Sequence, residues 1–134
     1  MKKAFLIGAL LVAATPALAE KILVSQGKGH QCRGDIFSIS QPIEVLYPER
    51  DCPLPLANKA GLFAYQFQGD RVQMPGCFGR QLDGTYTIIR KDNVLTTSAA
   101  NSYVMAELEK DGKAKVLSSP NQDTAYGKAM GMCP

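Results

Sequence analysis

Apolar and polar residues alternate with a period of two over several short stretches, the pattern of strands with one buried face. In Asp35 to Ser40, Phe37 and Ile39 fall on one side, and Ile36, Ser38 and Ser40 on the other. Ile43, Val45 and Tyr47 continue the rhythm beyond Pro42. An earlier segment, Lys21 to Ser25, carries the unbroken run Ile22-Leu23-Val24 and reads as a first strand. Gln26 to His30, glycine-rich and polar, reads as a loop. Pro48, Pro53 and Pro55 are expected to break regular structure between Tyr47 and Leu56. Pro55 to Gly61 has the leading proline and trailing glycine of a single helical turn.

The segment from Ala64 to Arg90 allows registers to be tested. A two-residue turn at Gly69-Asp70 would set Gln68 against Arg71, Phe67 against Val72, Gln66 against Gln73 and Tyr65 against Met74. Apolar pairs then share one face and polar pairs the other. At the next turn, a three-residue loop from Leu82 to Gly84 pairs Arg80 with Tyr86 and Phe78 with Ile88. It is preferred to a two-residue loop because it keeps Val72, Met74, Phe78, Ile88 and Tyr86 on one side. Pro75-Gly76 is expected to form a bulge, because proline cannot donate to a ladder.

A further hairpin is predicted over Val104 to Leu117, with Lys110-Asp111-Gly112 as its loop. Glu109 then faces Lys113 and Glu107 faces Lys115, while Leu108 meets Ala114 and Ala106 meets Val116. A helix over Ser98 to Lys110 competes, since Ala100, Val104 and Leu108 also repeat every four residues. The strand reading pairs charges on one face and apolar residues on the other, and is preferred. The tail from Ser118 to Pro134 is rich in turn formers. Seven or eight short strands result. The predicted fold is mainly β, a small antiparallel barrel or sandwich with a meander over about residues 64–90.

The N-terminus changes the meaning of the composition. Lys2 and Lys3 precede an apolar stretch from Ala4 to Ala14, and Ala17-Leu18-Ala19 ends in the small-x-small pattern read by signal peptidase. Residues 1–19 are therefore expected to be a cleaved Sec signal peptide, and residues 20–134 one β-rich domain. The apolar run falls short of the roughly twenty residues a spanning helix needs, so no stable membrane insertion is expected after cleavage. No cysteine follows Ala19 to carry a lipid anchor, and the Lys-Lys pair differs from a twin-arginine signal. The mature chain is expected to be periplasmic or secreted. Without Lys2 and Lys3, the formal charge of +3 on 134 residues falls to +1 on 115. A near-neutral chain gives no footprint for nucleic acid.

Export also changes the reading of Cys32, Cys52, Cys77 and Cys133. An even number of cysteines in a small exported domain indicates disulfides. Four cysteines allow three connectivities, and spacing alone does not choose among them. The favoured pairing is Cys32–Cys133, tying the tail to the N-terminal region, with Cys52–Cys77 closing a loop of about 25 residues. No C-x-x-C motif or closely spaced ligand pair suggests redox or metal chemistry. No metal or cofactor is expected.

No coherent catalytic set emerges. His30 is the only histidine and reads as a polar loop residue. None of Ser25, Ser38, Ser40 or Ser98 sits in a nucleophile turn. Asp35, Glu44, Glu49, Asp51 and Asp92 read as solvated surface, and Asp70, Asp83 and Asp111 as turn residues. Gly27-Lys28-Gly29 lacks the strand–loop–helix setting of a phosphate loop. Arg33-Gly34-Asp35 spells an integrin-ligand tripeptide, which would matter only at an exposed loop tip. Tyr47, Tyr65, Phe67, Phe78, Tyr86 and Tyr103 read mainly as core.

Ser98-Ala99-Ala100-Asn101-Ser102-Tyr103, together with a cysteine near the C-terminus, loosely resembles small exported inhibitors of C-type lysozyme. These are cysteine-stapled antiparallel barrels that insert a Ser/Gly/Ala/Tyr loop into the enzyme. The family's early tyrosine–cysteine motif and later basic contact motif are not evident, so no functional residue is carried over. The leading expectation is a non-enzymatic exported domain that binds a protein or another envelope macromolecule. Inhibition of a cell-wall hydrolase is the alternative. A carboxylate-dependent hydrolase is a third reading, from a different class.

Overall fold

The computed structural model describes residues 18–133. The signal segment, apart from Leu18 and Ala19, lies outside the described residues. Nine strands form one antiparallel sheet: β1 (Glu20–Ser25), β2 (Ile36–Ser38), β3 (Glu44–Asp51), β4 (Phe63–Gln68), β5 (Gln73–Arg80), β6 (Tyr86–Arg90), β7 (Leu95–Ser98), β8 (Tyr103–Leu108) and β9 (Lys113–Ser118). Their spatial order is β2-β9-β8-β1-β3-β4-β5-β6-β7. Two short helices, α1 (Pro120–Asp123) and α2 (Ala125–Met130), complete the tail. Among the described residues no helix is long and apolar enough to cross a membrane.

The central strands are buried on both faces. Ile22 and Val24 of β1, Val45 of β3, and Val104 and Ala106 of β8 share one cluster with Phe37, Ala114 and Val116. Their immediate neighbours Leu46 and Tyr103 belong to a second cluster with Tyr65, Phe78 and Ile88, against which Leu23 packs. Adjacent strand residues point to opposite faces, so the clusters lie on opposite sides of the sheet. Its two ends accordingly curl in opposite senses. Phe37 on β2 reaches the first cluster at one end. At the other, the Tyr86 ring on β6 meets Tyr103 on β8 with centroids 5.7 Å apart, although four strands intervene between β6 and β8 in the sheet.

Both expected disulfides are present, Cys32–Cys133 with Cα atoms 5.6 Å apart and Cys52–Cys77 with 5.1 Å. The second is buried with Leu54 in a third cluster, flanked by Leu56, Leu62 and Ile89. The first secures the tail, whose turn formers build the two short helices. Ser119 caps α1 by accepting from the Asn121 amide, and Thr124 caps α2 by accepting from Gly127.

Several predicted registers hold. Phe78 faces Ile88 and Arg80 faces Tyr86, with Gly84 left-handed in the loop (φ 87°). Ala106 faces Val116, Glu107 faces Lys115 and Leu108 faces Ala114, with Gly112 at φ 83°. Residues 103–108 are thus strand, and only a 3₁₀ turn at Ala100–Ser102 precedes them.

The β4–β5 hairpin differs from expectation by two residues. Gln68 faces Gln73, Phe67 faces Met74 and Tyr65 faces Gly76. The loop therefore contains four residues, closed by the Gly69 amide donating to the Val72 carbonyl at 2.8 Å. A two-residue slip preserves the faces, so alternation could not detect it. Packing decides the register: the Tyr65 ring lies across Gly76, where a Cβ would stand 2.9 Å from the ring and 2.5 Å from the Ile89 carbonyl. Gln68 also anchors the end of β4, its side-chain amide donating to the Ile39 and Pro42 carbonyls.

The prolines correct three other expectations. β3 runs through Pro48, which falls where its register with β4 shifts, between Tyr47 and Asp51. Pro75-Gly76 forms no bulge, since the β4–β5 register passes through both without a shift. The Pro75 carbonyl accepts from Lys91, so its donorless nitrogen faces the end of β6, where little of the ladder is lost. Residues 55–61 form no helix, and the chain turns where Leu62 donates to the Lys59 carbonyl. Gly76→Ala is expected to lower stability by about 1–3 kcal/mol through overpacking, measured as a lower urea midpoint. An unchanged midpoint would refute the close-packing role given to Gly76.

Candidate functional site

Glu44 opens β3 at the end of the sheet where β1 finishes and β8 begins. Its amide donates to Ser25 Oγ at 3.0 Å. Its carboxylate accepts from the Tyr65 hydroxyl at 2.7 Å on one oxygen and from the Tyr103 hydroxyl at 3.5 Å on the other. Both tyrosines are buried, with 3% exposure. Burial, reinforced by the Glu44 charge, raises the pKa of Tyr65 far above the usual phenol value. Burial, with a smaller contribution from Glu44, pushes Tyr103 up to about 12. Both phenols therefore remain donors at ordinary pH and hold the carboxylate in place. Each carboxylate oxygen retains acceptor capacity beyond its tyrosine.

Glu44 lines a pocket of about 500 Å³ shared by three distant segments. Ser25 and Gln26 come from the end of β1, Asn101 and Ser102 from the 3₁₀ turn, and Pro120, Asn121, Thr124 and Tyr126 from the tail. Gln26 joins all three. Its side-chain amide donates to the Asn101 carbonyl at 2.6 Å and accepts from Asn121 Nδ2 at 2.7 Å. The tail wall is held by Ser119, whose hydroxyl donates to the Gln31 carbonyl, by the Arg33–Asp123 ion pair at 2.6 Å, and by Cys32–Cys133. Tyr126 stands at the rim with 73% exposure. The lining has one carboxylate, no basic group and several neutral donors and acceptors, which suits a ligand group rich in hydrogen-bond donors.

The acids named from sequence occupy separate places. Asp35 accepts from the Gln31 and Cys32 amides, Asp83 from Thr85, and Asp111 from the Lys113 amide. Asp92 pairs with Arg90, while Glu49, Asp51 and Asp70 are exposed. Glu44 departs from the solvated reading, since its carboxylate is engaged by two buried hydroxyls. Sequence reasoning missed the pocket roles of Gln26, Asn121 and Tyr126, which form no local motif. The Arg33-Gly34-Asp35 side chains are both occupied, Arg33 with Asp123 and Asp35 as a loop cap. Among the described residues, no group of three or more His, Cys, Asp or Glu is arranged to hold a metal.

His30 also departs from expectation. It is 7% exposed, its ring centroid lies 5.3 Å from that of Phe37, and its Nδ1 has no partner among the described residues. Gly27 makes room for the ring, since a Cβ there would lie 2.6 Å from Nε2. Burial lowers the histidine pKa, partly opposed by Asp35. Between this lowered value and the ordinary one of about 6.5, the unfolded chain binds more protons than the folded chain. Stability should therefore rise with pH through that window and gain nothing more from His30 above it. Urea midpoints for wild type and His30→Gln between about pH 5 and pH 8 measure the difference. Parallel profiles would remove His30 as the source.

Comparison of the chain with protein-family models, with curated proteins and with solved structures finds no match.

Proposed function

We propose that the chain is an exported, non-enzymatic domain that works in the periplasm or outside the cell by binding a macromolecular partner. Support for export comes from the signal-like N-terminus, from two disulfides, and from the start of β1 at Glu20, the residue after the expected cleavage point. The observation that carries the binding reading is the Glu44 carboxylate, bonded by the buried Tyr65 hydroxyl and faced by that of Tyr103, beside the exposed, uncharged loop Ala99–Ser102. The loop supplies contact area and the pocket a fixed anionic acceptor. A lysine, arginine or hydroxyl-bearing group of the partner is the complementary chemistry.

Inhibition of a cell-wall hydrolase is the second reading. It is favoured by one observation: the segment resembling the inhibitor loop, Ser98 to Tyr103, contributes Asn101 and Ser102 to the pocket rim.

Capture from envelope and secreted fractions with wild-type mature chain, Glu44→Gln and Asn101→Arg tests the surface. A partner retained by wild type and weakened about tenfold or more by either variant is the expected result. Equal capture by all three would place binding elsewhere. Titration of the mature chain into a panel of lysozymes tests the second reading, for which stoichiometric inhibition relieved by Asn101→Arg is expected. Full enzyme activity throughout would end it.

A further inference from the structure

The two edges of the sheet are protected very differently. β2 is only three residues long and follows Asp35 directly. β7, four residues long, has neither charge nor proline to guard it: neither occurs between Asp92 and Glu107. Natural sheet edges are usually blunted by charge, proline, bulges or brevity. Here Leu95, Thr96 and Thr97 are exposed, Leu95 to 67%.

The backbone of β7 defines what could dock. The Val94 carbonyl accepts from the Arg90 amide, so Val94, Thr96 and Ser98 direct their peptide groups towards β6. Leu95 and Thr97 direct theirs outward, where no bond to the described residues is made. Beyond them the Ala99 carbonyl is taken by Ser102, which ends the free edge. Two donors and two acceptors are thus presented in a row.

We propose that β7 is a self-association edge, pairing antiparallel with β7 of a second copy about a twofold axis at Thr96. In that register Leu95 exchanges two hydrogen bonds with Thr97 of the other copy, and Thr97 exchanges two with Leu95, so all outward groups are satisfied. Thr96 faces itself as a non-hydrogen-bonded pair, and the cross-strand contacts are threonine–threonine and leucine–threonine. A second copy fits because Leu95 and Thr97 are symmetric about Thr96 and supply every donor and acceptor from both sides, and with no charge between Asp92 and Glu107 no like charges are brought together. The association does not depend on the Glu44 pocket.

Sedimentation of the mature chain from about 1 μM to 1 mM tests it, with a concentration-dependent dimer expected. Thr97→Pro removes only an outward donor, and Thr97→Lys adds a guarding charge while leaving the backbone bonds in place. Each should weaken the dimer by about tenfold or more. Thr96→Cys should yield a disulfide-linked dimer on mild oxidation, because its copies face each other across the axis. A wild-type monomer at every concentration, or a dimer unaffected by both Thr97 variants, would overturn the proposal. Circular dichroism identifies a misfolded proline variant, in which case Thr97→Lys decides.

Discussion

The sheet depends on covering both faces of β1. Ile22 and Val24 are fully buried on one face of that strand and Leu23 is half-buried on the other, and Val45-Leu46 and Tyr103-Val104 impose the same demand on the strands beside it. A flat sheet of this length would need a second layer on each side. Instead the chain uses its outer strands as those layers, bending β9 and β2 over one face and β5 and β6 over the other. Strand twist makes such coiling natural. Burial of apolar surface on both faces is its driving force.

This arrangement accounts for the polar structure at the Glu44 end. Where the second cluster meets solvent, Tyr65 and Tyr103 need hydroxyl partners, because a buried phenol without one is costly. Glu44 supplies them from β3, which lies with β1 between the Tyr65 strand and the Tyr103 strand. One carboxylate thus faces two buried hydroxyls, at 2.7 and 3.5 Å, linking core packing directly to pocket chemistry. The edge-on contacts of Tyr86 with Phe78 and Tyr103 carry the same packing into β5 and β6. The disulfides act outside the two main clusters: one, buried in a third, fastens the irregular 52–62 segment to β5, and the other fastens the tail to the β1–β2 loop.

What could be read from the sequence follows the range of each interaction. The hairpins at Gly84 and Gly112 were legible because a left-handed loop residue and cross-strand pairs act within a few positions. Spacing alone does not select the Cys32–Cys133 and Cys52–Cys77 pairing. Alternation puts the Gly69 hairpin two residues away, because its register is set by Tyr65 covering Gly76, a contact that alternation cannot distinguish. The role of Pro48 depends on a local break in pairing with β4, so proline alone did not reveal it. His30 reads as a loop residue because Gly27 and Gly29 precede it, yet Gly27 leaves the room in which the ring packs inward. Glu44 was one acid among many until topology brought two tyrosines to it.

The pocket is a product of strand order. β3, β1 and β8 are neighbours in the sheet although they begin at residues 44, 20 and 103. Their ends therefore converge, and the C-terminal tail, returning to Cys32, passes over the same corner. Gln26 bridges Asn101 and Asn121 where this return is fixed covalently and by Arg33–Asp123. Such a site carries no contiguous motif, since each contributing segment is short and chemically ordinary by itself. Its chemistry rests on a single carboxylate bonded at 2.7 Å by the buried Tyr65 phenol, with the Tyr103 phenol 3.5 Å from its other oxygen.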